Sequence, residues 1–163
     1  MVTLILRRGE RGKQSLLSFP ADTPAARDEN AAILAELKRG TAPVFIESAA
    51  SPVLNLGCYL RGIDILADGE AERIERLAER LEQMSEIDCD KFSGMLDAIS
   101  ISGTKDILKL TEQLDDYTIL PNCSSPRSIG RYLVGCGAFP VPEKLTGYID
   151  SVSYTHLTLP TIA

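Results

Sequence analysis

Two short apolar runs flank a charged turn near the start of the chain, in the sequence TLILRRGERGKQSLLSF at residues 3–19. Apolar runs on either side of a glycine-bracketed turn are typical of a β-hairpin, so strands are predicted at residues 3–6 and 15–19. The turn is basic, but no aromatic residues lie between its charges to stack on bases. A solvated turn is therefore favoured over a phosphate-binding one.

A helix and two further strands are predicted after the hairpin. Thr23 and Pro24 have the order of an N-cap and a first helical residue, and Gly40 can end the helix. Runs rich in β-branched and aromatic residues predict strands at residues 44–46 and 53–56, the second extending as far as residue 60. The apolar stripe of the helix consists of Ala32, Ile33, Leu34 and Leu37.

The clearest helix in the sequence begins after Asp68 and Gly69. Its apolar residues recur every three or four positions, while Glu and Arg fill the opposite face. Residues 87–101 fit either a helix, because of Phe92 and Met95, or a strand over their second half. The apolar stripe of the clearest helix consists of Ile74, Leu77, Ala78, Leu81 and Met84.

The remainder of the chain is predicted to be mostly helical with one short strand. Thr104 can cap a helix that reaches residues 115–116, and a strand at residues 117–120 would stop at Pro121. Ser125 and Pro126 can open another helix, and residues 142–148 can form a last helical turn. The buried stripe of the helix that Thr104 begins would consist of Ile107, Leu110, Thr111 and Leu114.

The order of these elements favours an α+β fold. An early β-rich part with a hairpin and one helix precedes a mostly helical part with a short strand, which is unlike a doubly wound parallel sheet. We predict an N-terminal α+β domain over residues 1–95, ending in the acidic helix. An α-rich domain over residues 96–151 would follow and would be incomplete.

The end of the chain has a different character. The sequence VSYTHLTLPT at residues 152–161 resembles the in-frame translation of a transposase adapter used in sequencing libraries, and it carries no charged residue. We expect residues 152–163 to be a non-native tail, His156 to be foreign, and the natural C-terminal part to be missing. The alternative is a natural apolar C-terminal strand.

Composition limits the kinds of partner. The chain has 163 residues, 44% of them hydrophobic and 25% charged, which suffices for one core or two small ones. A net charge of -6 disfavours nucleic acid and anionic membranes and favours a basic partner. No apolar stretch approaches the length that spans a bilayer, and the N-terminus does not resemble a secretory signal. The expected location is the cytoplasm.

Residues for common catalytic mechanisms are missing from the sequence. With His156 set aside, no Ser–His or Cys–His pair can be formed, and the four cysteines lack metal-ligand spacing. Gly135 and Gly137 follow a predicted helix without the Lys and Ser or Thr of a phosphate-binding loop. We therefore assign no catalytic, cofactor-binding or metal-binding residue and predict no cofactor. An enzyme using a carboxylate pair is the least favoured alternative.

Acidic residues concentrate in the middle of the chain. Fifteen acidic and six basic residues lie between Asp64 and Asp116, which leaves a net charge of -9. An ordinary solvated surface is the simpler interpretation; the sharper hypothesis is a carboxylate array that stands in for DNA phosphates. The candidate partner-binding acidic surface consists of Asp68, Glu72, Glu75, Glu79, Glu82, Glu86, Asp88, Asp90, Asp115 and Asp116.

Three short motifs carry a family resemblance. They are LKLTEQLDDY at residues 108–117, IGRYLV at residues 129–134 and PEKLTGYID at residues 142–150. In this order they resemble ArdA-type antirestriction proteins, which are carried on bacterial mobile elements. The resemblance covers most of residues 60–150, while residues 1–60 agree only in general character. The family pattern continues past Asp150, where this chain departs from it.

The resemblance implies a function without catalysis. Members of that family are elongated, acidic, typically dimeric DNA mimics that occupy the DNA-binding groove of type I restriction–modification enzymes. For this chain it implies such an enzyme as partner, a homodimer, no direct nucleic-acid binding, no membrane contact and no cofactor. The net charge of -6 is modest for a DNA mimic. The alternative is a non-catalytic adaptor or regulatory protein of a mobile element that has the same fold but does not mimic DNA.

Overall fold

The computed structural model describes residues 1–9, 12–120, 123 and 125–138. The chain separates into a compact first unit, Met1–Thr118, and a second unit that begins at Ile119. Within the described residues, the first unit combines a three-stranded antiparallel sheet with five α-helices and one 3-10 helix. This arrangement confirms the predicted α+β class.

The sheet contains the predicted hairpin. Its strands are β1 (Val2–Arg8), β2 (Gln14–Phe19) and β3 (Val44–Ala50), in the order β2-β1-β3. Alternate residues of β1 point to one face, where Leu4 lies opposite Leu17 and Leu6 lies opposite Ile46, and all four are buried. Because side chains alternate between the two faces of a strand, this register places all the apolar side chains of one face against the helices.

The other face of the sheet is open to solvent. Leu16 is 57% exposed and Phe45 is 40% exposed on this face. A bulge in β3 leaves Glu47 without a partner on β1, because Leu6 pairs with Ile46 while the residue before it pairs with Ser48. The Glu47 carboxylate forms an ion pair with Arg7 at 2.6 Å and accepts a hydrogen bond from Gln14 at 2.7 Å. These contacts join the three strands across the open face.

Five helices accompany the sheet in the first unit. Thr23 caps the first of them as predicted, since its hydroxyl accepts a hydrogen bond from the amide of Ala26 at 3.1 Å. Ile74, Leu77 and Leu81 point into the core from the acidic helix, which the sequence identified most clearly. The helices are α1 (Pro24–Lys38), α2 (Leu56–Leu60), α3 (Glu70–Gln83), α4 (Glu86–Ala98) and α5 (Thr104–Leu110).

The predicted strand at residues 53–60 is wrong, because a short helix forms there. Leu56 and Leu60 are four residues apart and both fully buried, which is helical spacing, whereas Leu54 is 96% exposed. Helix α2 lies against the edge of β3, where a Cβ on Gly57 would come within 2.6 Å of the Ala49 carbonyl oxygen. The missing side chain of Gly57 therefore allows this close approach, which local sequence patterns do not show.

The ambiguous segment at residues 87–101 is largely helical. Helix α4 buries Phe92, Met95 and Leu96 on one side, and the chain becomes extended at Ile99. A capping box starts this helix: the Ser85 hydroxyl accepts from the Asp88 amide at 3.2 Å, and the Asp88 carboxylate accepts from the Ser85 amide at 3.3 Å. Two backbone donors at the helix start are thus satisfied, and this favours the helix over a strand.

Replacing Ser85 by alanine is expected to lower the free energy of unfolding by about 1 kcal/mol at neutral pH. Hydrogen bonds from the Ser85 hydroxyl and, to a smaller extent, from the Ser85 backbone amide lower the pKa of Asp88. A lowered folded-state pKa stabilises the fold above the unfolded-state pKa, and this contribution is lost as pH falls through the folded-state value. Urea denaturation should therefore show a difference between variant and parent that shrinks in acid. Ser100→Ala, an exposed site outside the helices, should change little; an equal loss there would contradict the cap.

Two expectations for the following segment are corrected. Helix α5 ends at Leu110 and a 3-10 helix follows at Leu114–Asp116, so the predicted helix is shorter than expected. Thr104 is the first helical residue, after Gly103 as N-cap, and its hydroxyl donates to Glu70 instead. Among the described residues 117–120 no strand forms, because none of the strands of the sheet pairs with them.

The compact first unit extends beyond the predicted domain boundary after residue 95. Ile107 and Leu110 of α5 lie in the same hydrophobic core as Phe92 and Ile74. In the second unit, α6 (Pro126–Gly135) begins at the predicted Ser125 cap. The predicted helical turn at residues 142–148, the third family motif and the tail at residues 152–163 lie outside the described residues.

Candidate acidic surface on helix α3

Four of the candidate acids share one flank of α3. Glu72, Glu79 and Glu82 are exposed and Glu75 is half-buried, while the core-facing residues of the helix lie on a different side. Spacings of three and four residues place such side chains above one another along a helix. The helix ends at Gln83, so Glu86 belongs to α4 and does not extend this row of acids.

Two arginines of α3 lie on the opposite flank, toward α5. Arg73 donates to the Thr104 hydroxyl at 3.2 Å and to the Asp68 carbonyl at 2.7 Å. Arg80 donates to the Thr111 hydroxyl at 2.7 Å and to the Glu112 carboxylate at 2.7 Å. The positive charges of these two residues are thus directed away from the acidic flank.

Glu70 is an acid with a structural role rather than a surface one. Its carboxylate pairs with Arg73 at 2.5 Å and also accepts a hydrogen bond from Thr104, which is itself only 3% exposed. Both partners of the ion pair are mostly buried, so removing either one leaves a polar group without its partner. Helical spacing is a signal for this difference, because Glu70 lies four residues before Ile74 and therefore on the same side of the helix as the buried residues.

Three of the four acids on this flank of α3 line a cleft. Glu75, Glu79 and Glu82 surround it together with Asp22 and Arg27, and its volume is about 330 Å³. Sequence analysis missed Asp22 and Arg27, because they belong to the β2–α1 connection and to α1, far from α3 in the chain. Arg27 donates to the Ala21 carbonyl at 3.0 Å, so part of its hydrogen-bonding capacity serves the fold.

The other candidate acids lie on separate elements. Asp88 belongs to the cap of α4, and Asp68 precedes α3 with its carbonyl bonded to Arg73. Glu86 and Asp90 are exposed in the first turns of α4. Asp115 and Asp116 are exposed in the 3-10 helix, near Lys91, whose ammonium donates to the Leu114 carbonyl at 3.1 Å. The clearest grouping of the predicted acids is therefore the flank of α3.

Two groups with shifted pKa values lie elsewhere. The pKa of the Cys89 thiol is raised mainly by burial and to a smaller extent by the nearby carboxylates of α4. Partial desolvation and the hydrogen bond to Asp97 at 3.0 Å raise the pKa of Tyr59. Both shifts favour the protonated form at neutral pH and therefore lower nucleophilic reactivity. Within the described residues, no group of three or more His, Cys, Asp or Glu side chains could hold a metal ion.

The described helices are all too short or too polar to cross a bilayer. Comparison with known proteins finds no matching family model, no matching curated protein and no matching solved structure.

Proposed function

We propose that the protein inhibits a type I restriction–modification enzyme by placing carboxylates where the enzyme binds DNA phosphates. The observation that carries this proposal is the separation of charge on α3. Glu72, Glu75 and Glu79 have no ion-pair partner among the described residues, whereas Arg73 and Arg80 are bonded on the opposite flank. A basic cleft could therefore approach these three carboxylates without first breaking an ion pair, whereas the fourth acid of the flank, Glu82, pairs with the N-terminal ammonium of Met1 at 3.1 Å.

The spacing of charge along α3 supports the same proposal. From Glu72 to Glu79 the helix rises by about 10 Å, so these three acids, which have no ion-pair partner among the described residues, follow one another at about 5 Å along the axis. One strand of DNA carries a phosphate about every 3.4 Å along its axis. The linear charge density of the flank is therefore about two thirds of that of one DNA strand, close enough to compete for the same lysines and arginines.

The proposed mechanism is competition, with no catalytic step and no cofactor. The protein would act in the cytoplasm, would not itself bind nucleic acid, and as a homodimer would present two such flanks. Like charges three or four residues apart cost a helix about 0.2–0.5 kcal/mol per pair. The buried residues Ile74, Leu77, Ala78 and Leu81 can offset that cost.

Binding of the protein to a purified type I restriction–modification enzyme is expected to exclude DNA from the same site. The affinity should fall roughly tenfold or more between about 0.1 and 1 M salt, because screening shortens the range of charge interactions from about 10 Å to about 3 Å. Competition of labelled DNA against the protein, repeated along a salt series, measures both effects. Simultaneous binding of DNA and protein, or salt-independent affinity, would reject phosphate mimicry.

A second candidate function is that of an adaptor, and the open face of the sheet favours it. Leu16 and Phe45 are exposed there on a regular surface, and exposed apolar side chains on one face can bind another protein. An adaptor that uses this face would lose binding when both residues are replaced by serine. It would keep binding when the acids of α3 are neutralised, which is the reverse of what mimicry requires.

A further inference from the structure

Building on the proposed function, we propose that Arg73 and Arg80 are positioning residues for the acidic flank of α3. They fix the rotation of the helix about its own axis, so that Glu72, Glu75 and Glu79 face outward. The charges of the two arginines are balanced by carboxylates on the other flank of the helix. Arg73 and Arg80 carry the opposite charge to the residues that would contact the partner.

Each of the two arginines forms hydrogen bonds to the segment from Thr104 to Thr111. We call each of these two sets of contacts a clamp. Arg73 reaches Thr104 at 3.2 Å and Arg80 reaches Thr111 at 2.7 Å, so each arginine bonds a threonine 31 positions later in the chain. The constant offset means that α3 and the segment from Thr104 to Thr111 run side by side in the same direction. Two clamps about 10 Å apart along the axis oppose rotation of α3 better than one would.

Each clamp also contains a carboxylate that offsets the arginine charge. Arg73 pairs with Glu70 at 2.5 Å, and Arg80 pairs with Glu112 at 2.7 Å. The hydrogen bonds of Arg80 to Thr111 and to the Leu108 carbonyl add direction to that attraction. Because the guanidinium is planar and has several donors, it can hold two acceptors on the neighbouring segment at once.

Arg76 lies between the two clamps and provides a matched comparison. It is exposed, and no described residue forms an ion pair or a side-chain hydrogen bond with it. Replacing Arg76 or Arg80 by glutamine changes the net charge of the protein by the same amount on the same helix. If arginines of α3 merely dilute the negative field, both substitutions should improve inhibition; if Arg80 positions the helix, the two effects should have opposite signs.

The test measures the concentration of the protein that half-inhibits a purified type I restriction–modification enzyme. Arg76→Gln is expected to lower this concentration about twofold, because it removes a positive charge near the acidic flank. Arg80→Gln is expected to raise it at least threefold in spite of the added negative charge, and Arg80→Lys should recover part of the loss. Circular dichroism and the melting temperature establish that each variant is folded at the assay temperature.

Arg73→Gln provides a second test, although it disturbs a more buried pair and can unfold the chain. If Arg80→Gln improves inhibition as much as Arg76→Gln does, the positioning role is overturned while phosphate mimicry stands. An Arg76→Gln variant that loses as much inhibition as Arg80→Gln would also overturn it. If neutralising Glu72, Glu75 and Glu79 has no effect either, the proposed function itself fails, and the arginine variants have no flank to position.

Discussion

Replacing Glu72, Glu75 and Glu79 together by glutamine is expected to raise the half-inhibitory concentration against a type I restriction–modification enzyme about tenfold. Three interactions of about 0.5 kcal/mol each account for this factor. Folding should survive, because none of the three side chains reaches the core and glutamine has a helix propensity close to that of glutamate. A DNA-protection assay with the purified enzyme measures the effect.

The matched control for this variant lies on α1. Asp28, Glu29 and Glu36 are exposed there, and replacing them by Asn, Gln and Gln changes the net charge by the same three units. Inhibition should change less than about twofold in the control, since these exposed charges lie on another helix and none of them lines the cleft beside the acidic flank. Equal losses in the two variants would mean that only total charge matters. No loss in either would remove the case for mimicry.

Replacing Phe92 by alanine is expected to lower the free energy of unfolding by about 3–5 kcal/mol. Phe92 is completely buried on α4, among the largest enclosed side chains of the described chain. Its removal costs both the transfer of an aromatic ring from water and the cavity that close packing cannot fill. Urea denaturation followed by circular dichroism measures the loss.

Ile87→Ala on the same helix is the control for the Phe92 variant. Ile87 is 70% exposed, so its truncation should change the free energy of unfolding by about 0.5 kcal/mol or less. The two substitutions remove apolar atoms from positions five residues apart in one helix. Comparable costs at the two sites would show that the packing of α4 differs from the one described here.

Patterns within short segments were sufficient to predict much of the fold. The hairpin, the caps at Thr23 and Ser125, and the amphipathic α3 all depend on residues within a few positions of one another. Their energies come from local hydrogen bonds and from one-sided burial, and both leave a visible periodicity in the sequence. The same patterns predicted that the acids of α3 would lie away from its buried stripe.

Segments whose apolar residues show no clear periodic spacing were predicted less well, because packing against the rest of the fold decides whether they become helix, strand or loop. Residues 53–60 have the composition of a strand, yet Gly57 lets α2 pack against the backbone of β3. Tyr117 belongs to an expected strand, but none of the three strands of the sheet pairs with it. A strand needs a partner, and the presence of one is not a local property.

By itself, the sequence determined the α+β class and the acidic character of α3, because composition and periodicity are sufficient for both. Only the tertiary structure showed that Glu70 pairs with Arg73 and accepts a hydrogen bond from Thr104, which lies 34 positions later in the chain. It also placed Asp22 beside Glu79 across a cleft. The physical reason is that ion pairs and hydrogen bonds between distant segments depend on angles and distances that the whole core sets. Such contacts produce no repeating pattern of residue types in the sequence.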